Sequence, residues 1–259
     1  MDYSRGYAAA YRLVRVDPDL WGDGAEIRRV TGVSLTTAID SDAPSVDGGT
    51  VDLDSAYPGD GYVRVWMDAE QSGLAERVPL GTYWMVESDG APQDGGSECE
   101  LRSVLWPASE AKVPVGTRCR RGQDGAARAA ELLRERCACP GALTGTDPVE
   151  KDVVSEDGET ALEFAWALLS SCQITTDGWG RVTVGPRDAT RVVVPSSHVI
   201  GAISTSRNSD GARQLDYGRE LLGLRAGGVA VVDGREYRVT QQSAECGCGV
   251  VVSETAVEL

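Results

Sequence analysis

Histidine is nearly absent: His198 is the single one in 259 residues. This excludes most histidine-based metal sites and leaves one candidate base for any Ser/His or Cys/His catalysis. Cations are also scarce, with 25 Lys and Arg against 40 Asp and Glu, a formal net charge of −15. Backbone affinity for nucleic acid depends on Lys and Arg neutralising phosphates, so neither a duplex-binding surface nor an anionic membrane is an expected partner. No apolar run approaches eighteen residues, so no transmembrane helix is expected. The first 19 residues include Asp2 and have no clean apolar core, so a secretory signal peptide is not expected either. There is no Gly-x-Ser-x-Gly elbow, no glycine loop ending in Lys-Ser/Thr and no internal repeat. Hydrophobic residues make up 41% and charged residues 25%, which is too apolar for a disordered chain and enough for a sizeable core.

Seven cysteines are present: Cys99, Cys119, Cys137, Cys139, Cys172, Cys246 and Cys248. An odd number without a secretory signal argues against a disulfide framework. Two tight pairs, Cys137/Cys139 and Cys246/Cys248, would supply four thiolates for zinc if the fold joined them. One residue lies between the members of each pair, whereas structural zinc sites usually have roughly two to four. Reduced, partly buried thiols are therefore the expectation, and no metal or other cofactor is assigned.

Period-two patterning dominates the first hundred or so residues. Val33, Leu35, Thr37 and Ile39 share one face; Val51 and Leu53 alternate with Asp52 and Asp54; Val63, Val65 and Met67 alternate with Tyr62, Arg64 and Trp66. Thr82–Val86 is apolar on both faces, as in a strand covered on both sides, and Leu101 and Leu105 are read as one face of a later strand. The middle changes period. Asp124 caps a helix with an Ala126, Ala129, Ala130, Leu133, Cys137 stripe, and Thr160-Ala161-Leu162-Glu163 has capping-box spacing ahead of an Ala161, Phe164, Ala165, Leu168, Cys172 stripe. Asp177-Gly178-Trp179-Gly180 reads as a hairpin turn. Strand patterns then return, with Asp233-Gly234 as a type I′ turn between Val229–Val232 and Tyr237–Val239, and a last strand from Val250. The expected fold class is mainly β with an α/β insertion: two barrel-like β parts, residues 1–115 and 201–259, flanking an α/β segment at 116–200.

Clusters of acid were tested for chemistry. Asp40, Asp42, Asp47, Asp52, Asp54 and Asp60 occur in a stretch without Lys or Arg. Asp17, Asp19 and Asp23 begin like a calcium loop with Gly22 in the sixth position, but Trp21 and Arg28 occupy ligand positions and break the pattern. Forty acids always supply carboxylate pairs, and nothing marks one pair as catalytic. Six Arg between Arg118 and Arg136 form a local basic stretch, read either as a solvated helix side or as a contact for an acidic neighbour.

The order of segments resembles a known family. The strand Thr31–Thr36, the acidic stretch ending Gly49-Thr50-Val51-Asp52-Leu53, then Tyr62–Met67 and Val78–Val86 are similar to the opening barrel of bacteriophage tail baseplate-hub proteins of the late-control-D-like group. The second helix with Ile174–Val182 is similar to their middle segment, and Ala226–Val239 with Cys248–Val251 to their closing barrel. Residues 112–157 fit least. The resemblance implies a homotrimeric ring at the tip of a tail tube, with no catalytic residues. The implied partners are a second copy, a tail-tube or distal tail protein and a tape-measure protein, without a membrane or sequence-specific nucleic acid. The place is the virion tail, assembled in the bacterial cytoplasm. A cell-wall glycan hydrolase using paired carboxylates and a calcium-dependent β-sandwich adhesin are the alternatives. On the ring reading, Tyr62, Arg64 and Trp66 form an outward face between subunits, with cover by another part of the same chain as the competing account. The Asp40–Asp60 acids line the lumen, where they repel DNA phosphate.

Overall fold

The computed structural model describes residues 7–38, 46–88, 96–186, 191–195, 199–207, 211–220, 227–246 and 250–259. His198, Asp40, Asp42 and Cys248 lie outside these residues. The N-terminal strands are β1 (Ala8–Val16), β2 (Asp23–Ile27), β3 (Val30–Ala38), β4 (Val46–Leu53), β5 (Gly61–Gln71), β6 (Leu74–Glu87) and β7 (Ser97–Ser103). They pair antiparallel in the order β2-β1-β5-β6-β7-β4-β3 and curl around Leu13, Val51, Val63, Val65, Met85 and Leu101, each at most 1% exposed. The alternation read from the sequence produces this: a period of two sends Val51 and Leu53 inward and leaves Asp52 and Asp54 in solvent. β6 is covered on both sides, with Tyr83 and Met85 in the sheet's interior and Trp84 packed on the middle segment.

The middle segment contains α1 (Trp106–Glu110), β8 (Arg118–Cys119), α2 (Gly125–Arg136), β9 (Gly141–Leu143), β10 (Val153–Val154), α3 (Ala161–Ala167), β11 (Cys172–Thr176) and β12 (Val182–Pro186). The Asp124 carboxylate accepts from the N–H groups of Ala126 and Ala127 at 3.1 and 3.3 Å and starts α2. Thr160 and Glu163 form a complete capping box on α3. Both caps agree with the sequence reading. Small residues on α2 allow close packing on α3, where Phe164, the chain's one phenylalanine, is fully buried. Leu105 belongs here rather than with Leu101: β7 stops at Ser103, and Leu105 packs in the helical core.

The C-terminal strands are β13 (Arg191–Val193), β14 (Val199–Arg207), β15 (Arg213–Glu220), β16 (Val229–Val232), β17 (Arg235–Cys246) and β18 (Val250–Glu258). Asp233 and Gly234 take φ values of 49° and 76°, as a type I′ turn requires, and Val232 faces Arg235. β17 serves two neighbours on one side: Arg235–Arg238 pair with β16, and Gln241–Cys246 pair with β3. That second ladder joins both β parts into one sheet running β14-β15-β18-β17-β3-β4-β7-β6-β5-β1-β2. The mainly-β class with an α/β insertion therefore holds. The barrel expectation needs refinement: among the described residues neither part closes by strand pairing, because β3 gives its second edge to β17. A further contact ties the halves, with Met67 and Ala69 of β5 against Val250 and Val252 of β18.

Candidate functional site

Buried polar chemistry concentrates where the β1-β5-β6 sheet meets the β11–β12 turn. Arg64 on β5 is 1% exposed. Its Nε donates to Thr82 Oγ1 at 3.0 Å, one terminal nitrogen pairs with Asp23, and the other donates to the Trp179 carbonyl at 3.2 Å. Its guanidinium lies 5.1 Å from the Trp179 ring centre. Thr82 donates in turn to the Gly178 carbonyl at 3.2 Å, and the Trp21 indole to the Trp179 carbonyl at 2.7 Å. The Trp66 indole donates to Asp23 at 3.0 Å, and its ring meets Trp179 edge-on at 5.1 Å. Tyr62 is set edge-on between Trp21 and Trp84, and its hydroxyl accepts from the Ala138 N–H at 3.3 Å. Burial pushes the Tyr62 phenol upward, so it remains the neutral form. Gly180 has φ +71°, and a Cβ there would lie 2.7 Å from Thr82 Cβ, which shows how closely the turn approaches β6.

This arrangement corrects the outward-face reading of Tyr62, Arg64 and Trp66. They do share a face, but the middle segment covers it within the same chain, and the three are 5%, 1% and 7% exposed. Asp23 does not form part of a calcium loop, since its carboxylate is engaged by Arg64 and Trp66, while Asp17 accepts from the N–H groups of Asp19 and Leu20. Asp47 is corrected as a lumen residue: it is 9% exposed and accepts from the Thr176 hydroxyl. Asp52, Asp54 and Asp60 are exposed. Cys137 and Cys139 are buried in the helical core, whereas Cys246 packs between sheets, so the structure does not bring Cys246 to them; Cys248 lies outside the described residues. The hydrogen bond shared by Cys137 and Cys139 raises the Cys139 thiol, with burial adding to the shift, and lowers the Cys137 thiol, while burial pushes Cys246 up to about 12. Among the described residues no three metal-binding side chains gather, and no helix is long and apolar enough to cross a membrane.

A second buried group, Asp147, has no local sequence signal. Its carboxylate accepts from the N–H groups of Ser170, Ser171 and Cys172 at 2.7, 2.8 and 2.8 Å and from the hydroxyls of Ser170 and Ser171 at 2.7 and 3.0 Å. Burial raises the carboxyl's pKa, but these donors outweigh it and hold the group at about 2. Its partners are more than twenty positions away, so only the fold reveals the set. Trp179 and Thr82 were missed for the same reason, although the turn carrying Trp179 was legible.

No family model and no curated protein matches the chain. Solved structures do. A tail protein from Neisseria meningitidis MC58 is similar over 98% of this chain and 96% of its own, with a TM-score of 0.67 at 12% identity. The 43 kDa tail protein of prophage MuSo2 from Shewanella oneidensis is similar over 96% and 98%, with a TM-score of 0.64 at 10% identity. An E. coli type VI secretion component, described as structurally similar to T4 bacteriophage tail proteins, covers 89% of this chain with 74% of its own, with a TM-score of 0.58 at 13% identity. The resemblance read from the order of segments is thus met in three dimensions, and the chain has the fold of phage and prophage tail proteins.

Proposed function

We propose that the chain is a structural component of a phage or prophage tail, forming the baseplate hub at the tip of the tail tube as a homotrimer. The observation that carries this is the end-to-end likeness to two tail proteins, which covers nearly all of both partners rather than a shared module. The buried polar groups support a structural rather than an enzymatic role. Buried Arg64 and Asp147 join segments, and the exposed Asp23 pairs with Arg64. In this role residues 1–115 and 201–259 are the β parts that flank an α/β part at 116–200. Partners are further copies, a tail-tube or distal tail protein and the tape-measure protein, assembled in the bacterial cytoplasm into the virion tail.

On this reading the outer face of β4 and β7 borders the channel. Asp52 stands directly opposite Glu98 in the ladder, a like-charge pair that costs stability but repels passing phosphate. Light scattering at roughly 10 μM, alone and with the neighbouring tail-tube protein, tests the assembly. Three copies per ring are expected. A monomer under both conditions overturns the reading.

A further inference from the structure

We propose, building on the ring reading, that the arginine-lined cleft beside β14 receives the acidic β1–β2 turn of a second copy. The observations start at the two ends of the single sheet path. Among the described residues β14 pairs only with β15, and β2 only with β1, so each leaves a row of backbone donors and acceptors uncovered. Beside β14, three arginines, Arg207, Arg213 and Arg235, and one acid, Glu258, line a cleft of about 780 Å³. Arg207 and Arg213 are directly opposite each other in the β14–β15 ladder, an arrangement that is destabilising unless an anion joins it. Arg235 is held by Glu258 at 3.2 Å, and Arg207 donates to the Gly211 carbonyl at 2.8 Å. Arg213 meets no acid among the described residues. Such convergence of arginine is unexpected in a chain of net charge −15.

The opposite end has the complementary sign. From Asp17 to Ile27 there are four carboxylates and no cation; Arg28 and Arg29 stand just beyond. Asp23 is engaged by Arg64, but Asp19 is exposed and Glu26 meets Arg12 at the long distance of 3.8 Å. Leu20, beside Asp19, is 83% exposed, and the cleft has an exposed apolar residue of its own in Leu259 at 62%. Two different, complementary surfaces at opposite ends of one sheet suit a heterologous contact, the kind that builds a ring when its rotation closes.

Sedimentation velocity on the full chain at about 100 μM and low salt tests the contact. Arg213→Glu and Asp19→Arg are each expected to weaken self-association by about tenfold or more, and the chain with both changes to recover it. Wild-type association is expected to weaken as salt rises. Thermal melts check that each variant folds, and Arg213→Gln replaces Arg213→Glu if that variant does not. A wild-type oligomer that ignores both single changes, or no recovery in the double variant, overturns this contact and leaves the hub reading standing. A wild-type monomer overturns it too, and overturns the hub reading as well only if the chain stays monomeric with its tail-tube neighbour.

Discussion

A guanidinium that is 1% exposed has lost its water and must find every hydrogen bond inside the protein. Arg64 finds three of them, from three segments: the start of β2, β6 and the β11–β12 turn. Its value lies in geometry, since a planar fork fixes the relative position of all three. Asp147 is the anionic counterpart. Its folded pKa of about 2 lies below the ordinary 3.8, so it contributes stability that is fully present above about pH 4 and is lost as pH falls through about 2. The shift corresponds to roughly 2 kcal/mol. Urea melts of Asp147→Asn at neutral pH are expected to show a loss of about 2–4 kcal/mol. Between about pH 4 and 2 the variant's stability curve is expected to be flatter than the wild type's; parallel curves would refute the assignment.

Helix α3 has seven residues, too few to persist alone, and relies on its capping box and on α2. The β11–β12 turn relies on Gly180. Gly180→Ala places a Cβ against Thr82 and asks alanine to hold φ +71°, so a loss of about 2–3 kcal/mol in urea unfolding is expected. An unchanged midpoint would mean that the turn is not held against β6. Such elements were the most legible part of the sequence, because caps, glycine turns and alternation act over a few residues. The Asp124 and Thr160 caps and the Asp233-Gly234 turn were readable for this reason. The parallel pairing of β9 with β12, or the cover of Trp66 by Trp179, was not, because nothing near β9 or β5 encodes a partner tens of residues away. The burial of Tyr62 and Trp66 could only be posed as two options: an aromatic outward face looks the same in sequence whether a second chain or a distant loop covers it.

The two β parts lie far apart in sequence but form one sheet in space, while the middle segment's strands pair among themselves. The β17–β3 ladder and the Met67–Val252 core cross between the β parts, and the Arg64 cluster crosses to the middle. Scanning calorimetry at neutral pH is therefore expected to give one cooperative transition, with the calorimetric and van't Hoff enthalpies equal. Two separated peaks would show that the crossings are weak. The fold class was legible from the changes in period along the chain. The union of the two β parts was not, since either part read alone closes plausibly on itself.

That union also sets a schedule for synthesis. Strand β3 ends at Ala38, and its partner in β17 begins pairing at Gln241, some two hundred residues later. At a ribosome adding about 5–20 residues each second, one edge of the nascent sheet waits roughly 10–40 seconds for its neighbour. Throughout that interval many copies translated from one message expose the same flank, and a chain released early never receives its cover. Slowing translation late in the message therefore lengthens the exposure of that flank rather than shortening it.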